Sequence, residues 1–534
     1  MVTGTTAALG SRSHPREIPS RTRLRSPASS PRRHEGDLSQ EPFRRRVRTA
    51  GWIVFPLWTL GLAVFSTVIY HRAFLGEDFA TYNQAWTLIG TGHLNPYDTI
   101  YGFPFIKADF ELIIWPLALI HIVLPSPIAL VWIQDLAVGG SGLVAFLWVL
   151  DLLQRRRVPM GPTIAGAIAF IFVTVANAGV YQTLSFDVHL EPISTLFLVL
   201  SARALWLGRT RRALVFAAIV LLCGSFAAIC LVGLGVSALL AGPSTRRSGL
   251  LLVAAGIGWT GLISALHANQ GSGLSLYAYI AGRTSLSGLG GFVTLLGGAL
   301  THPSRVLGHL RERLADIWGL IRPVGVVGLA SAWGFGVPLV VLLVNALNAR
   351  ADFLTNTFQN FAVYPFLSVG TVMVIVWLGS RFRAGAVVAT VVALAVVAQA
   401  GILSYRYSPP VFRYAVSHVG PTQAAGLRAA LARTPPHAEV ISTITVMGRF
   451  CGRELCFFFY PDESRPVGTR DVVFVFDAQN EILTTEAGVQ YAATYVRDDL
   501  HARVVLARDG ITALEWHAPA GTRTITVPTG PPSR

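Results

Sequence analysis

Charged residues are scarce in this sequence: Asp, Glu, Lys and Arg make up only 13% of its 534 residues, and Lys107 is the only lysine. A soluble chain of this length needs far more charge to stay dispersed, so an ordinary soluble globular protein is excluded. The lack of lysine fits an Ala-, Gly-, Val- and Arg-rich composition and says little by itself. Cysteine is also sparse, with four residues. Cys223 and Cys230 lie in apolar sequence, where a buried thiol is the ordinary reading. Cys451 and Cys456 lie in more polar sequence and can bridge only if their region faces an oxidising compartment, a point that spacing leaves open. Acid is short as well, with 28 Asp and Glu against 43 Lys and Arg, a net charge of +15. The arginines fall in short clusters between apolar runs and build no single basic face, which argues against a nucleic-acid partner and makes them topology signals.

Apolar residues are what the chain has in abundance, at 52%. Residues 1–48 are rich in Arg, Ser and Pro without apolar periodicity and read as a disordered basic tail, not a signal peptide. The run Gly51–Tyr70 is long enough to cross a bilayer core of roughly 30 Å. Arg44, Arg45, Arg46 and Arg48 precede it and place the N-terminus in the cytoplasm by the positive-inside rule. Spans at 51–70, 127–152, 160–180, 192–208, 212–223, 226–242, 249–267, 318–331, 335–348, 363–380 and 384–403 put every later cluster on the same side: Arg155 to Arg157, Arg209 to Arg212, Arg246 and Arg247, Arg381 and Arg383. The expected fold class is thus an α-helical polytopic membrane protein of about eleven spans, residues 49–403, with a large first external loop at 71–126. The segment 212–242 reads either as one long helix or as two short ones. Residues 110–124 are apolar but too short to cross comfortably, and read as a re-entrant or interfacial helix.

From Ser404 the composition turns soluble. Helix-like 422–433 ends at Pro435-Pro436; strand-like runs follow at 439–444, 456–460 and 471–476, then a second helix at 485–496 and a hairpin about Asp509-Gly510. These predict a small α/β domain over 404–520, extracytoplasmic if the chain crosses eleven times, and a flexible end at 521–534.

Acids collect at the external ends of the spans, where idle carboxylates are costly. One group is Glu77-Asp78 with Tyr82, Gln84 and Trp86; Asp78 could equally cap a short helix there. A second is Lys107-Ala108-Asp109-Phe110-Glu111, with the only lysine within a turn of two acids. A third is Asp187-Val188-His189-Leu190-Glu191, whose alternate spacing lets three ligand-type side chains point one way on an extended backbone and bind a divalent metal.

Together with Tyr279, Pro303, Pro323 and the stretch Asn345 to Pro365, the Asp78–Trp86 group and the Asp187-x-His189-x-Glu191 motif resemble the bacterial membrane family catalogued as domain of unknown function (DUF) 2079, over about residues 55–480. That family is similar in layout to the C-type (GT-C) glycosyltransferases. The resemblance implies a multi-pass protein of the bacterial plasma membrane that transfers sugar from a polyprenyl-phosphate donor at the outer leaflet. It implies Asp78 as the catalytic base, with Glu77, Tyr82, Gln84, Trp86, Lys107, Asp109 and Arg283 around the substrate. A cation for the departing phosphate would come from Lys107, Arg283, or a metal at Asp187, His189 and Glu191. The competing readings are a lipid or small-molecule transporter or flippase, and a non-catalytic envelope-assembly scaffold. A transporter should carry polar residues at the membrane midplane, where Asp135 is the main example.

Overall fold

A computed structural model describes residues 35–531 except 73–74, 156–159, 186, 267–272, 351–353, 355–357, 382–383 and 418–419. The expected disordered stretch 1–34 lies outside the described residues. Residues 1–45 and 46–534 form two separate units. Helix α1 (Glu35–Arg72) begins in the first, so the arginines before the first crossing are helical rather than part of a tail.

The helices follow as α2 (Glu77–Gly90), α3 (Ile106–Asp109), α4 (Ile114–Ala118), α5 (Ile128–Arg155), α6 (Met160–Val175), α7 (Ala178–Ser185), α8 (Leu190–Trp206), α9 (Thr210–Leu221), α10 (Ser225–Ala241) and α11 (Pro243–Ala265). Then come α12 (Gly288–Thr301), α13 (Pro303–Glu312), α14 (Leu314–Ile321), α15 (Ala332–Ala346), α16 (Val363–Arg381) and α17 (Gly385–Ser417). Among the described residues six helical stretches are long and apolar enough to cross a membrane: Arg45–His71, Ile128–Arg155, Ile164–Ser185, Pro243–Ala265, Val363–Arg381 and Gly385–Arg406. Three shorter apolar helices, α10, α12 and α15, accompany them. The chain is a helical multi-pass membrane protein.

With no hydrophobic drive between helices in lipid, close packing relies on small residues. A Cβ on Gly139 of α5 would meet Thr59 Oγ1 of α1 at 1.8 Å. Gly235 of α10 and Gly249 of α11 approach so closely that a Cβ on either would lie 2.8 Å from the other's carbonyl oxygen.

The stretch 212–242 is two helices, in line with the separate spans 212–223 and 226–242, and is broken at Gly224, whose φ of 98° suits glycine. Three expectations change. The predicted crossing 318–331 is not one helix: α14 stops at Ile321, and a 3₁₀ turn, Val326–Ala330, follows. Pro323 and Gly325 (φ 101°) break the chain there, and the Thr371 hydroxyl donates to the freed carbonyls of Val324 (3.2 Å) and Gly325 (3.0 Å). Helix α12, rich in Gly, was not expected at all. Residues 110–124 hold only α4 and a 3₁₀ turn, Leu119–Ile122, with Leu119, Ile122 and Val123 exposed.

The helical part has two unlike ends. At one, Arg48 and Arg203 pair with Asp151 (2.8 and 2.6 Å), Arg155 lies over Trp206, and the α8–α9 and α10–α11 turns meet the end of α16. At the other sit the starts of α2 and α8 and the C-terminal domain.

Helix α17 runs to Ser417, past the change of composition near Ser404. Beyond it, α18 (Pro421–Arg433) and α19 (Glu486–Asp498) cover the two faces of a five-stranded sheet. Besides the short antiparallel pair β1 (Tyr97–Asp98) and β2 (Phe103–Pro104) and the strand β5 (Ser464–Pro466), the sheet order is β4 (Cys456–Phe458), β3 (Glu439–Ser442), β6 (Asp471–Asp477), β8 (Ile511–His517), β7 (Arg503–Arg508). β3 runs parallel to β4 and β6, and β8 is antiparallel to β6 and β7. Alternation along β6 sends Val473 and Val475 to the α18 side and Val472, Phe474 and Phe476 to the α19 side. Asp509 (φ 56°) and Gly510 (φ 79°) make the tight β7–β8 hairpin with two left-handed residues. The expected flexible end is partly ordered: Thr524–Thr526 pairs antiparallel with Ser464–Pro466.

Cys451 and Cys456 form a disulfide, while Cys223 and Cys230 are buried thiols. In intact membranes all four should resist maleimide until reductant is added, when Cys451 and Cys456 alone become reactive. Labelling of Cys451 without reductant would contradict the bridge.

Candidate active site

Helix α2 begins soon after α1 ends, and contacts from the C-terminal domain and the loop after it hold it in place. Its face Phe79 to Trp86 is buried. Asn83 Nδ2 donates to the Gly448 carbonyl (3.0 Å), and Gln84 Nε2 to those of Arg453 (3.1 Å) and Glu454 (2.9 Å) in the C-terminal domain. The Gly448 amide returns a bond to Leu75 O (2.7 Å). Thr99, from the loop after α2, donates its hydroxyl to the Cys456 carbonyl and its amide to Gln84 Oε1 (3.0 Å). Trp86 packs edge-on against His121. Gln84, 1% exposed, therefore fastens the C-terminal domain to α2 and the loop after it, while Trp86 is fully buried against His121. Tyr82 donates to Glu111 Oε1 (2.9 Å), and burial first, then Glu111, Glu191 and Asp78, pushes its phenol well above the usual range.

The N-terminus of α2 is capped from a distance. Asp187 accepts from the Gly76 amide (3.1 and 3.0 Å) and the Phe79 amide (3.3 Å), its carboxyl oxygens meeting the unpaired amides at the start of the helix. Asp78 is thus not the cap, contrary to one sequence reading. It sits in the first turn with Glu77, its side chain 38% exposed. Packing on its remaining sides strips water from the carboxylate, and this desolvation, with Glu77 beside it, pushes Asp78 up to about 7; Arg350 opposes the shift. Desolvation and Asp78 push Asp187 up to about 8 against the pull of the two amides. Two neighbouring acids thus titrate near neutrality.

His189 Nε2 lies 3.8 Å from Asp78 Oδ2. The ring stacks on Phe358 at 3.5 Å, and its amide donates to Gln134 Oε1 (2.7 Å). Burial lowers His189 to about 3, so at neutral pH it faces Asp78 uncharged.

The metal expectation does not carry through. His189 is extended (φ −136°, ψ 152°), but α8 begins at Leu190, so the alternation that would aim Glu191 alongside Asp187 and His189 ends there. Among the described residues no three His, Cys, Asp or Glu side chains are placed to hold a metal ion. Lys107 and Arg283 are exposed, and neither is among the charges acting on Asp78. The Asp109 side chain lies outside the described residues.

Two residues near Asp78 were missed from sequence. Arg350, in the turn after α15, is the cation that acts on Glu77 and Asp78. Tyr101 stacks on Phe103 (6.0 Å), and burial, then Asp78 and Glu77, raises its phenol. The only signal for either is local turn chemistry: Asn348 Oδ1 accepts from the Arg350 amide (2.9 Å), and Asp98 Oδ1 from those of Ile100 (2.8 Å) and Tyr101 (3.2 Å).

Fold and site together define a multi-pass membrane protein whose α/β domain is clamped to a loop helix bearing a partly open acid cluster. The family described as Predicted membrane protein (DUF2079) matches residues 76–476, and the chain belongs to it. A comparison with curated proteins found no match. Two solved structures are similar to the chain at 12% identity: ArnT from Cupriavidus metallidurans bound to undecaprenyl phosphate, with a TM-score of 0.42 over 87% of this chain and 98% of that one, and the same protein in the apo state, at 0.41 over 88% and 98%.

Proposed function

We propose that the chain is a C-type glycosyltransferase that moves a sugar from a polyprenyl-phosphate donor at the outer leaflet onto an acceptor hydroxyl, with Asp78 as general base. The observation that carries this reading is Asp78 itself: partly open, free of capping duty, and held near pH 7. A base does most when its pKa lies near the working pH. As the acceptor oxygen bonds to the anomeric carbon and the bond to the phosphate breaks, the acceptor proton passes to the Asp78 carboxylate. Negative charge then grows on the leaving phosphate, and Arg350 is the cation near enough to Asp78 to meet it. The neutral His189 adds no charge that would pair off Asp78. The arginine-rich helix ends support a cytoplasmic location for that side by the positive-inside rule, which leaves the acid cluster and the C-terminal domain outside. A disulfide in that domain accords with an oxidising compartment.

The test is transfer from a radiolabelled polyprenyl-phosphate sugar by membranes containing the chain, followed against pH. Protonated Asp78 cannot accept the acceptor's proton, so turnover should be low in acid and rise through a midpoint near 7. Turnover that is flat from about pH 5 to 8 would remove Asp78 as the base.

A further inference from the structure

We propose that a cavity at the arginine-rich end of the helices binds the phosphate headgroup of an anionic glycerophospholipid from the adjoining leaflet. The cavity is about 460 Å³ and lies where α5, α8, α10 and α16 end and α9, α11 and α15 begin. Its wall mixes indoles (Trp206, Trp333) with hydroxyls (Thr210, Ser244, Ser248). Ser248 is only 7% exposed, yet its hydroxyl has no hydrogen-bond partner among the described residues. As a lining residue it can offer that hydroxyl to a group held in the cavity. Thr210 opens α9 and Ser244 lies in the first turn of α11; neither helix has a side-chain cap, so two positive helix ends meet this space.

The charge around it has the same sign. Arg155 sits 4.5 Å over the ring of Trp206, and Arg209, Arg211, Arg212, Arg246, Arg247 and Arg381 lie on the same helix ends. Asp151, the acid on these ends, is already held by Arg48 and Arg203, and those six arginines have no acidic partner among the described residues. Basic pockets between helices on this kind of face suit lipid phosphates. Leu240 and Trp377 also line the cavity while remaining 57% and 56% exposed, so it opens sideways onto apolar surface where acyl chains can lie. A free phosphate would make no use of that opening, which favours the lipid.

The full chain, purified in detergent, is mixed with phosphatidylglycerol or with phosphatidylcholine of the same acyl chains and examined by native mass spectrometry. One phosphatidylglycerol should stay bound under activation that strips phosphatidylcholine. Arg155→Gln should weaken retention about fivefold, the effect of one cation near a lipid phosphate. Ser248→Phe fills the cavity and should abolish retention. Thr210→Leu, at the exposed rim, should lower it with the melting temperature unchanged, which separates lost binding from lost folding. Equal retention of both lipids by the parent, or parental retention in folded Thr210→Leu and Arg155→Gln, overturns the proposal. Displacement of the lipid by excess inorganic phosphate also overturns it, by assigning the cavity to a soluble anion.

Discussion

Membranes carrying Asp78→Asn are expected to transfer sugar roughly 100- to 10,000-fold more slowly than the parent, with the same amount of inserted protein. Asparagine keeps the shape of the side chain and loses the base. A missing helix cap, about 1 kcal/mol, could not produce such a loss, and the cap in any case belongs to Asp187. Lipid-linked sugar turnover and protein level, measured on the same membranes, decide between the two roles. Parental turnover removes the catalytic assignment; a proportionate fall in both quantities makes Asp78 a structural residue.

Gln84→Leu should act as strongly by a different route. The buried amide serves two carbonyls of the C-terminal domain and the Thr99 side chain and amide, and leucine satisfies none of them. Each buried group left without a partner costs about 1–3 kcal/mol. The loop between Cys451 and Cys456 should therefore loosen from α2, and its amide hydrogens should exchange roughly 30-fold faster or more. Transfer should fall with it, because the same helix carries Asp78. Unchanged exchange at Arg453 and Glu454 would show that the domain is held by other contacts.

How much of this was legible in the sequence depended on the range of the cause. The first crossing and α5 announce themselves as long apolar runs bounded by arginine. The sheet of the C-terminal domain was readable from the two-residue period of 471–476 and from Asp509-Gly510, since both signals are local. The stretch 318–331 misled because its apolar composition is that of a helix, while its path is set by Pro323, Gly325 and the hydroxyl of Thr371, far along the chain. The acid cluster was located from its own residues, but their duties were not. Gln84 resembled a substrate ligand and is a clamp; Asp187 resembled a metal ligand and is a helix cap. Arg350 carried only the turn signal of Asn348, because its effect on Asp78 comes from a distant part of the chain.

The remote cap on α2 also fixes an order of biosynthesis. Asp187 lies 111 residues beyond the Gly76 amide it holds, and the Gly448 carbonyl that takes the Asn83 amide lies 365 residues beyond its donor. A ribosome that has just released α2 has made neither partner. The helix must wait through the insertion of the later crossings for the first and for the synthesis of the C-terminal domain for the second, so a nascent chain that lacks them cannot present a finished acid cluster.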